Sequence, residues 1–257
     1  MVVRSLSPSW AVTTAHHRTL QTWLPLGPNG ESEPAATGLR AYHGSITWTV
    51  NGANGQPAVF IPERAMMMLD DPAHGIALAD ATVFVCVQSV WSGRGGSSTS
   101  LLLQQDGSSN PITQLSYSEL FRSIPGFPGT LTLYWMGGPA QGSADIGVWG
   151  GPMNDQNDTP PAITTVGYQL KPDGSYTIID ARGGVRTGST GVLTRDPMPA
   201  DSAPLSIGSY WYPPDTTSED ASGTFYYHEI RIYPGTTMTL TEMQAIHGAL
   251  LTKWGTP

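Results

Sequence analysis

The chain has 257 residues, with 12 basic against 20 acidic side chains and a formal net charge of −8; charged residues are only 12% of it, while it holds 30 Gly, 22 Pro, 8 Trp, 10 Tyr and 5 Phe. So little charge and so much Gly and Pro exclude a helical bundle, and the aromatic content excludes a disordered chain. With two lysines, Lys171 and Lys253, there is no basic stripe for nucleic acid and no polybasic membrane anchor, and no run approaches the roughly 20 apolar residues of a membrane-spanning helix.

The length admits one all-β domain with a sizeable core. The N-terminus, MVVRSLSPSW, has no apolar core of a secretory signal, so the chain is expected to be made and kept in a cytoplasm until lysis or assembly. Residues 1–40 lack alternation and contain Pro25, Pro28 and Pro34. They are expected to form an arm that docks on a partner, the alternative being a strand pair closing the edge of the domain, with the domain itself spanning 41–257.

From residue 41 onward the strand signals follow one another. Ser45–Val50, Ala58–Ile61 and Ala65–Leu69 come first, the last carrying Met66, Met67 and Met68 as an adaptable packing strand. Thr82–Val87 is apolar on both alternating faces, as a strand covered on both sides should be, and its single cysteine, Cys86, reads as a small core residue. Ser100–Gln104, a short helical turn at Tyr117–Ser123, Thr130–Met136 and Asp145–Trp149 follow. Ile163–Leu170 leads through Lys171-Pro172-Asp173-Gly174 into Ser175–Asp180; Pro second and Gly fourth suit a type I turn with Gly174 in a left-handed bulge. Leu205–Trp211 and Thr224–Tyr233 complete about eleven strands.

One helix is predicted, Leu240–Trp254. Thr239 and Glu242 fit a capping box, Leu240, Met243, Ile246 or His247, Leu250 and Trp254 recur at helical spacing, and Gly255 follows the last turn. Short strands separated by regular turns, closed by one helix, predict a two-sheet antiparallel sandwich. Trp48, Trp135 and Trp254 are assigned to its core.

Glu229-Ile230-Arg231-Ile232-Tyr233, a Pro-Gly turn and a capped helix ending Lys253-Trp254-Gly255 resemble the last strand and closing helix of LamG-like, concanavalin A-like lectin/glucanase domains. Gln56-Pro57-Ala58-Val59-Phe60 followed by Ala81–Val87 looks like that family's earlier strands. The resemblance covers roughly residues 45–256 and implies an all-β jelly-roll sandwich with one C-terminal helix. The stretch Gly223-Thr224-Phe225-Tyr226-Tyr227 departs from the family's usual Phe-x-Gly-x-Ile. Domains of this kind are similar to minor structural proteins of tailed bacteriophages. That implies a virion location, virion proteins as partners, a homo-oligomer or multicopy array, tail-tip or capsid-decorating duty, and recognition of host-surface glycans.

The chemistry points away from an enzyme. Glucanases on this fold carry alternating carboxylates on one strand face, about 5 Å apart for a retaining mechanism. Here only Glu31 and Glu33 are two apart, in a Pro/Gly loop, while Glu229 and Glu242 read as structural. No Gly-x-Ser-x-Gly elbow precedes a helix, and no helix follows Gly93-Arg94-Gly95-Gly96. His and Cys have no zinc spacing. Asn154–Asp158 is the best oxygen cluster for calcium but reads as a solvated turn, so neither metal nor cofactor is expected. The aromatics are the informative residue type, since sugar rings stack on Trp and Tyr while Asn and Asp read hydroxyls. Trp149, running into Asn154 and Asn157, and Tyr210-Trp211-Tyr212, just before Pro213-Pro214, are the carbohydrate-binding candidates. The alternative is that these rings fill the core or a subunit interface.

Overall fold

A computed structural model describes residues 4–6, 17–19, 22–23, 39–43, 45–49, 57–62, 65–69, 81–90, 98–105, 111–118, 130–135, 142–148, 163–171, 173–180, 183–189, 205–208 and 224–254. In chain order the elements are β1 (Arg4–Leu6), β2 (His17–Thr19), β3 (Thr22–Trp23), β4 (Leu39–His43), β5 (Thr47–Thr49), β6 (Ala58–Ile61), β7 (Met66–Leu69), β8 (Ala81–Val90) and β9 (Ser98–Gln105). They continue with β10 (Pro111–Ser118), β11 (Thr130–Trp135), β12 (Gly142–Val148), β13 (Thr164–Leu170), β14 (Ser175–Ile179), β15 (Val185–Ser189), β16 (Leu205–Ile207), β17 (Thr224–Pro234) and α1 (Leu240–Trp254).

Among the described residues these strands form two sheets, and the pairings are antiparallel. One sheet of nine runs β15-β14-β13-β8-β17-β6-β5-β2, with β1 also on β17; the other, of eight, runs β12-β11-β10-β9-β16-β7-β4-β3. The architecture is the predicted all-β jelly-roll sandwich with one C-terminal helix. Within residues 1–40, β1 pairs with Ile230–Ile232 of β17, β2 with β5, and β3 with β4.

The long central strands β8 and β17 organise the larger sheet. Tyr227 pairs with Val87 and Glu229 with Cys86, so His228 is an extra residue, a β-bulge. The bulge shifts the alternation by one. Phe225 and Tyr227 before it, and Ile230 and Ile232 after it, therefore share one face with Val83, Val85 and Val87, and all are buried. That face looks toward the second sheet: the Tyr227 hydroxyl is hydrogen-bonded to the Gly208 backbone, just past β16. A Cβ on Gly208, whose φ is 89°, would press on Ile61 of β6.

The opposite face carries α1. Phe84, Cys86, Ile163, Ile179 and Tyr233 from the sheet bury Met243, Leu250 and Trp254 of the helix together with Met238. Each large side chain so buried contributes about 1.5–3 kcal/mol. Gly167 lies beneath Phe84, where a Cβ would meet the ring at 2.6 Å. Thus β8 is covered on both sides, as its apolar run requires.

Local chemistry sets the turns and the helix start. Gly174 has φ 78° and donates to the Lys171 carbonyl at 2.9 Å, while Asp173 Oδ1 accepts from the Ser175 amide. At the helix, Glu242 Oε2 accepts from the Thr239 amide at 2.8 Å, and the Glu242 amide donates to Thr239 Oγ1 at 3.3 Å, which is the predicted box. Trp48 and Trp254 are core residues; the Trp135 side chain lies outside the described residues.

Some local expectations change. Tyr117 and Ser118, read as the start of a helical turn, end β10 and pair with Leu131 and Thr130; residues 119–123 lie outside the described set. Pairing on both sides of β10 overrides a local turn signal. β4, β10 and β15 are additional strands, β12 begins at Gly142 rather than Asp145, and β16 stops at Ile207.

Candidate functional site

Trp149, Asn154, Asn157, Tyr210, Trp211 and Tyr212 lie outside the described residues, as does the Asn154–Asp158 oxygen cluster. The strands that lead into them are described. β12 ends at Val148, which pairs with Thr130, the first residue of β11. β16 runs antiparallel to β9, from Leu205 opposite Gln104 toward the Ser98 end. Ser98 and Thr130 both pair with Ser118. β12 and β16 therefore point the same way along the eight-stranded sheet. Four strand spacings separate them, about 19 Å.

A second polar centre joins the helix to the nine-stranded sheet. Glu229, next to the bulge, is 1% exposed, and its carboxylate accepts three hydrogen bonds. Arg231 Nε donates to Oε1 at 2.7 Å; Lys253 Nζ and Trp254 Nε1 donate to Oε2 at 2.6 and 3.0 Å. Burial pushes this carboxyl up. The hydrogen bond from Lys253 and the charges of Arg231 and Lys253 outweigh it and hold the group below the usual carboxylate value. Every oxygen of Glu229 is thus engaged in holding the fold. A carboxylate so engaged is unsuited to general acid–base work, which needs reach to a substrate proton.

His228 and His247 flank this centre. His228 is buried, its Nδ1 lies 3.0 Å from the Pro57 carbonyl, and its ring sits 5.2 Å from that of Trp254. Burial lowers its pKa to about 4, so it is neutral at pH 7. Among the described residues its Nε2 has no hydrogen-bond partner, and neither does the buried amide of Gln88. His247 Nε2 lies 3.0 Å from the Thr165 carbonyl, and burial lowers its pKa too. Thr165 Oγ1 donates to Cys86 Sγ at 3.4 Å, and burial pushes that thiol up to about 12, far from a nucleophilic thiolate. Among the described residues, no three His, Cys, Asp or Glu side chains gather in a metal-binding group.

Sequence reasoning missed one aromatic feature. Phe60 and Tyr226, cross-strand neighbours, place their half-buried rings 4.8 Å apart at a 39° tilt. Pairing puts them on the sheet face that carries α1, in line with Gln88. Alternation within β6 and β17 was the available signal, obscured by the bulge.

No protein-family model matches the chain, and no curated protein matches it in sequence. Solved structures do match in fold. The receptor binding domain of a botulinum neurotoxin C/D mosaic serotype is similar at a TM-score of 0.57 with 8% identity, covering 100% of this chain and 54% of that one. The botulinum neurotoxin serotype D binding domain is similar at 0.57 with 7% identity, covering 100% and 55%. Domain 4 of an extracellular GH43 arabinanase from Geobacillus stearothermophilus, in complex with arabinotriose, is similar at 0.45 with 15% identity, covering 79% and 82%. The chain spans about half the length of the two neurotoxin structures. Among the described residues no helix is long and apolar enough to cross a membrane. The fold is therefore that of a jelly-roll β-sandwich.

Proposed function

We propose that this chain is a non-enzymatic recognition and structural module of a bacteriophage particle, a minor tail or tail-tip protein that engages host-surface glycan. The observation that supports the recognition half is the common direction of β12 and β16 in one sheet. In the sequence Trp149 with Asn154 and Asn157 follows the one strand, and Tyr210-Trp211-Tyr212 follows the other. Ring faces stack on sugar C–H faces, and the flanking amides read hydroxyls. The structural role of Glu229 favours binding over hydrolysis. The virion half rests on the sequence resemblance to phage structural proteins, and it brings other virion proteins as partners and a multicopy arrangement. Capsid decoration differs from this reading in location alone.

The test is a glycan array with a host cell-wall pull-down on the purified chain, with Trp149→Ala and Trp211→Ala alongside. Specific binding lost in a folded variant supports the reading. No binding by wild type, displayed multivalently so that weak sites register, overturns the glycan half.

A further inference from the structure

We propose that Arg231 and Lys253 form an oxyanion site on the solvent side of Glu229, which takes the carboxylate or phosphate group of an acidic host-surface glycan. Both cations bind the same carboxylate, Arg231 through Oε1 at 2.7 Å and Lys253 through Oε2 at 2.6 Å. Their heads are thus close neighbours, set apart by the width of one carboxyl group. Glu229 is 1% exposed, whereas the side chains of Arg231 and Lys253 are 25% and 39% exposed. The shared anion lies inside the protein, and both cations reach solvent.

Charge and donors are both left over. Two cations against one carboxylate leave a local surplus of one positive charge, and among the described residues neither cation has a second acidic partner. A guanidinium carries five N–H groups and an ammonium three. Arg231 spends its Nε–H on Glu229 and one more N–H on the Tyr233 hydroxyl, and Lys253 spends one on Glu229. The remaining N–H groups of both heads have no acceptor among the described residues. The net charge of the chain, −8, opposes anions at long range, so capture here depends on direct hydrogen bonds rather than on steering.

The two heads are held in place before any ligand arrives. Lys253 is tied to Glu229 and sits 4.7 Å over the centroid of the Trp254 ring, which is itself buried in the core cluster. Arg231 stands on the paired part of β17, opposite Phe84 of β8. Binding therefore orders little, which removes part of its entropic cost. A bound oxyanion offers two oxygens at the spacing that the Glu229 carboxylate already spans, and charge-assisted N–H···O bonds are the stronger kind. A neutral sugar offers hydroxyls but cannot neutralise the surplus charge. The ligand group is thus a carboxylate, as on a uronic acid, or a phosphate, as on a sugar-phosphate polymer. This deepens the glycan half of the function proposed above and rests on it. Free anions read the site without a glycan, so the two can fail separately.

The experiment titrates the full chain with inorganic phosphate, an oligogalacturonate and a neutral oligogalactan. It follows the Trp254 indole N–H, which donates to Glu229 Oε2, in proton–nitrogen correlation spectra. Wild type, Lys253→Gln and Lys253→Arg are compared. Glutamine keeps an N–H donor and loses the charge, while arginine keeps both. The expected result is a saturable shift of the indole signal with phosphate or oligogalacturonate and none with the neutral oligomer. Lys253→Gln is expected to weaken that binding about tenfold or more, and Lys253→Arg to retain it. A response to only one of the two anions tells a phosphate-bearing polymer from a uronic acid. At about 1 M salt, where charges are screened beyond about 3 Å, the wild-type shift is expected to be lost. No saturable shift with either anion, an equal shift with the neutral oligomer, or binding unchanged by Lys253→Gln or by salt overturns the proposal. If Lys253→Gln does not fold, the salt and neutral-oligomer comparisons decide. A chain that binds neutral glycan through Trp149 or Trp211, and no anion at Lys253, keeps the proposed function and loses this site.

Discussion

Lys253 Nζ lies 2.6 Å from Glu229 Oε2, across 24 residues of chain that turn off β17, wind through α1 and return. The contact locks the end of the helix to the bulged strand. The same carboxylate oxygen takes the Trp254 indole N–H, and the ring behind that N–H is buried against the core cluster. Lys253 also sits 4.7 Å from the centroid of the Trp254 ring.

The two ends of this ion pair should behave unequally. Glu229 is 1% exposed and Lys253 39%. Removing the carboxylate strands the Arg231 and Lys253 charges and the buried indole N–H, whereas removing the lysine leaves two donors on Glu229. Glu229→Ala should cost roughly 2–4 kcal/mol, and Lys253→Ala about 1 kcal/mol or less, because an exposed cation is screened. Urea unfolding followed by circular dichroism reads both. Equal costs would show that the lysine, and not the buried acceptor, carries the tie.

Much of this fold is legible in the sequence because its signals are strong where packing is two-sided. Val83–Val87 is apolar on both alternating faces, as a doubly covered strand requires. Leu240–Trp254 has a cap, a period and a stop, and no competing reading. The bulge at His228 is not legible: FYYHEIRIY alternates imperfectly either way, and only the partner register of β8 shows which residue is extra. Nor is β15, whose Val-Arg-Thr-Gly-Ser looks like a loop because most of its residues are exposed and its one glycine lies under Tyr176. Burial of Glu229 runs against the usual exposure of glutamate. Its significance came from its company, Arg231 two residues on and Lys253-Trp254 at the helix end, as the family resemblance grouped them.

Acid should weaken the protein in two stages. The folded-state pKa of His228 is about 4 against a reference of 6.5, lowered chiefly by burial. Its depressed value means that the unfolded chain binds the extra proton first. The associated stability is therefore complete above about pH 6.5 and lost as pH falls toward 4, on the order of 3 kcal/mol. Glu229, whose pKa is lowered in the fold by Lys253 and Arg231 against its burial, adds a further loss below its reference of 4.5. Melting temperature against pH should fall from 6.5 to 4 in wild type, and more steeply below. His228→Gln should flatten the upper limb and leave the lower one. An unchanged upper limb would move the titration to another histidine, with His247→Gln as the next variant.

Helix capping gives a smaller, local effect. Thr239 Oγ1 accepts from the Glu242 amide, so Thr239→Ala leaves that donor to water and should cost about 1 kcal/mol. Thr239→Ser should restore most of it. Because α1 covers Phe84 and Cys86, loss of the cap should first appear as faster amide exchange in residues 240–246, ahead of any change in β8. Simultaneous exchange in both would mean that helix and sheet open as one unit.

Two glycines separate steric crowding from backbone conformation. Gly167 lies on the face under α1, and a Cβ there would meet Phe84 Cε1 at 2.6 Å. Phe84 is fully buried and edge-on to Tyr233, with centroids 6.3 Å apart, so the ring has nowhere to retreat. Gly167→Ala should therefore cost about 1–3 kcal/mol by overpacking. Gly183, at the hairpin between β14 and β15, has φ 78° and nothing within 4 Å of an added Cβ. Gly183→Ala meets no atom and is penalised only for its left-handed backbone, about 1 kcal/mol. Gly183→Asn should recover part of that, as asparagine tolerates the conformation, whereas Gly167→Ser should be no better than alanine. The two pairs, measured by denaturant midpoint, should thus respond differently to a change of side-chain type. Recovery at 167 as well would show that Phe84 yields, and that the helix-covered face is looser than its zero exposure implies.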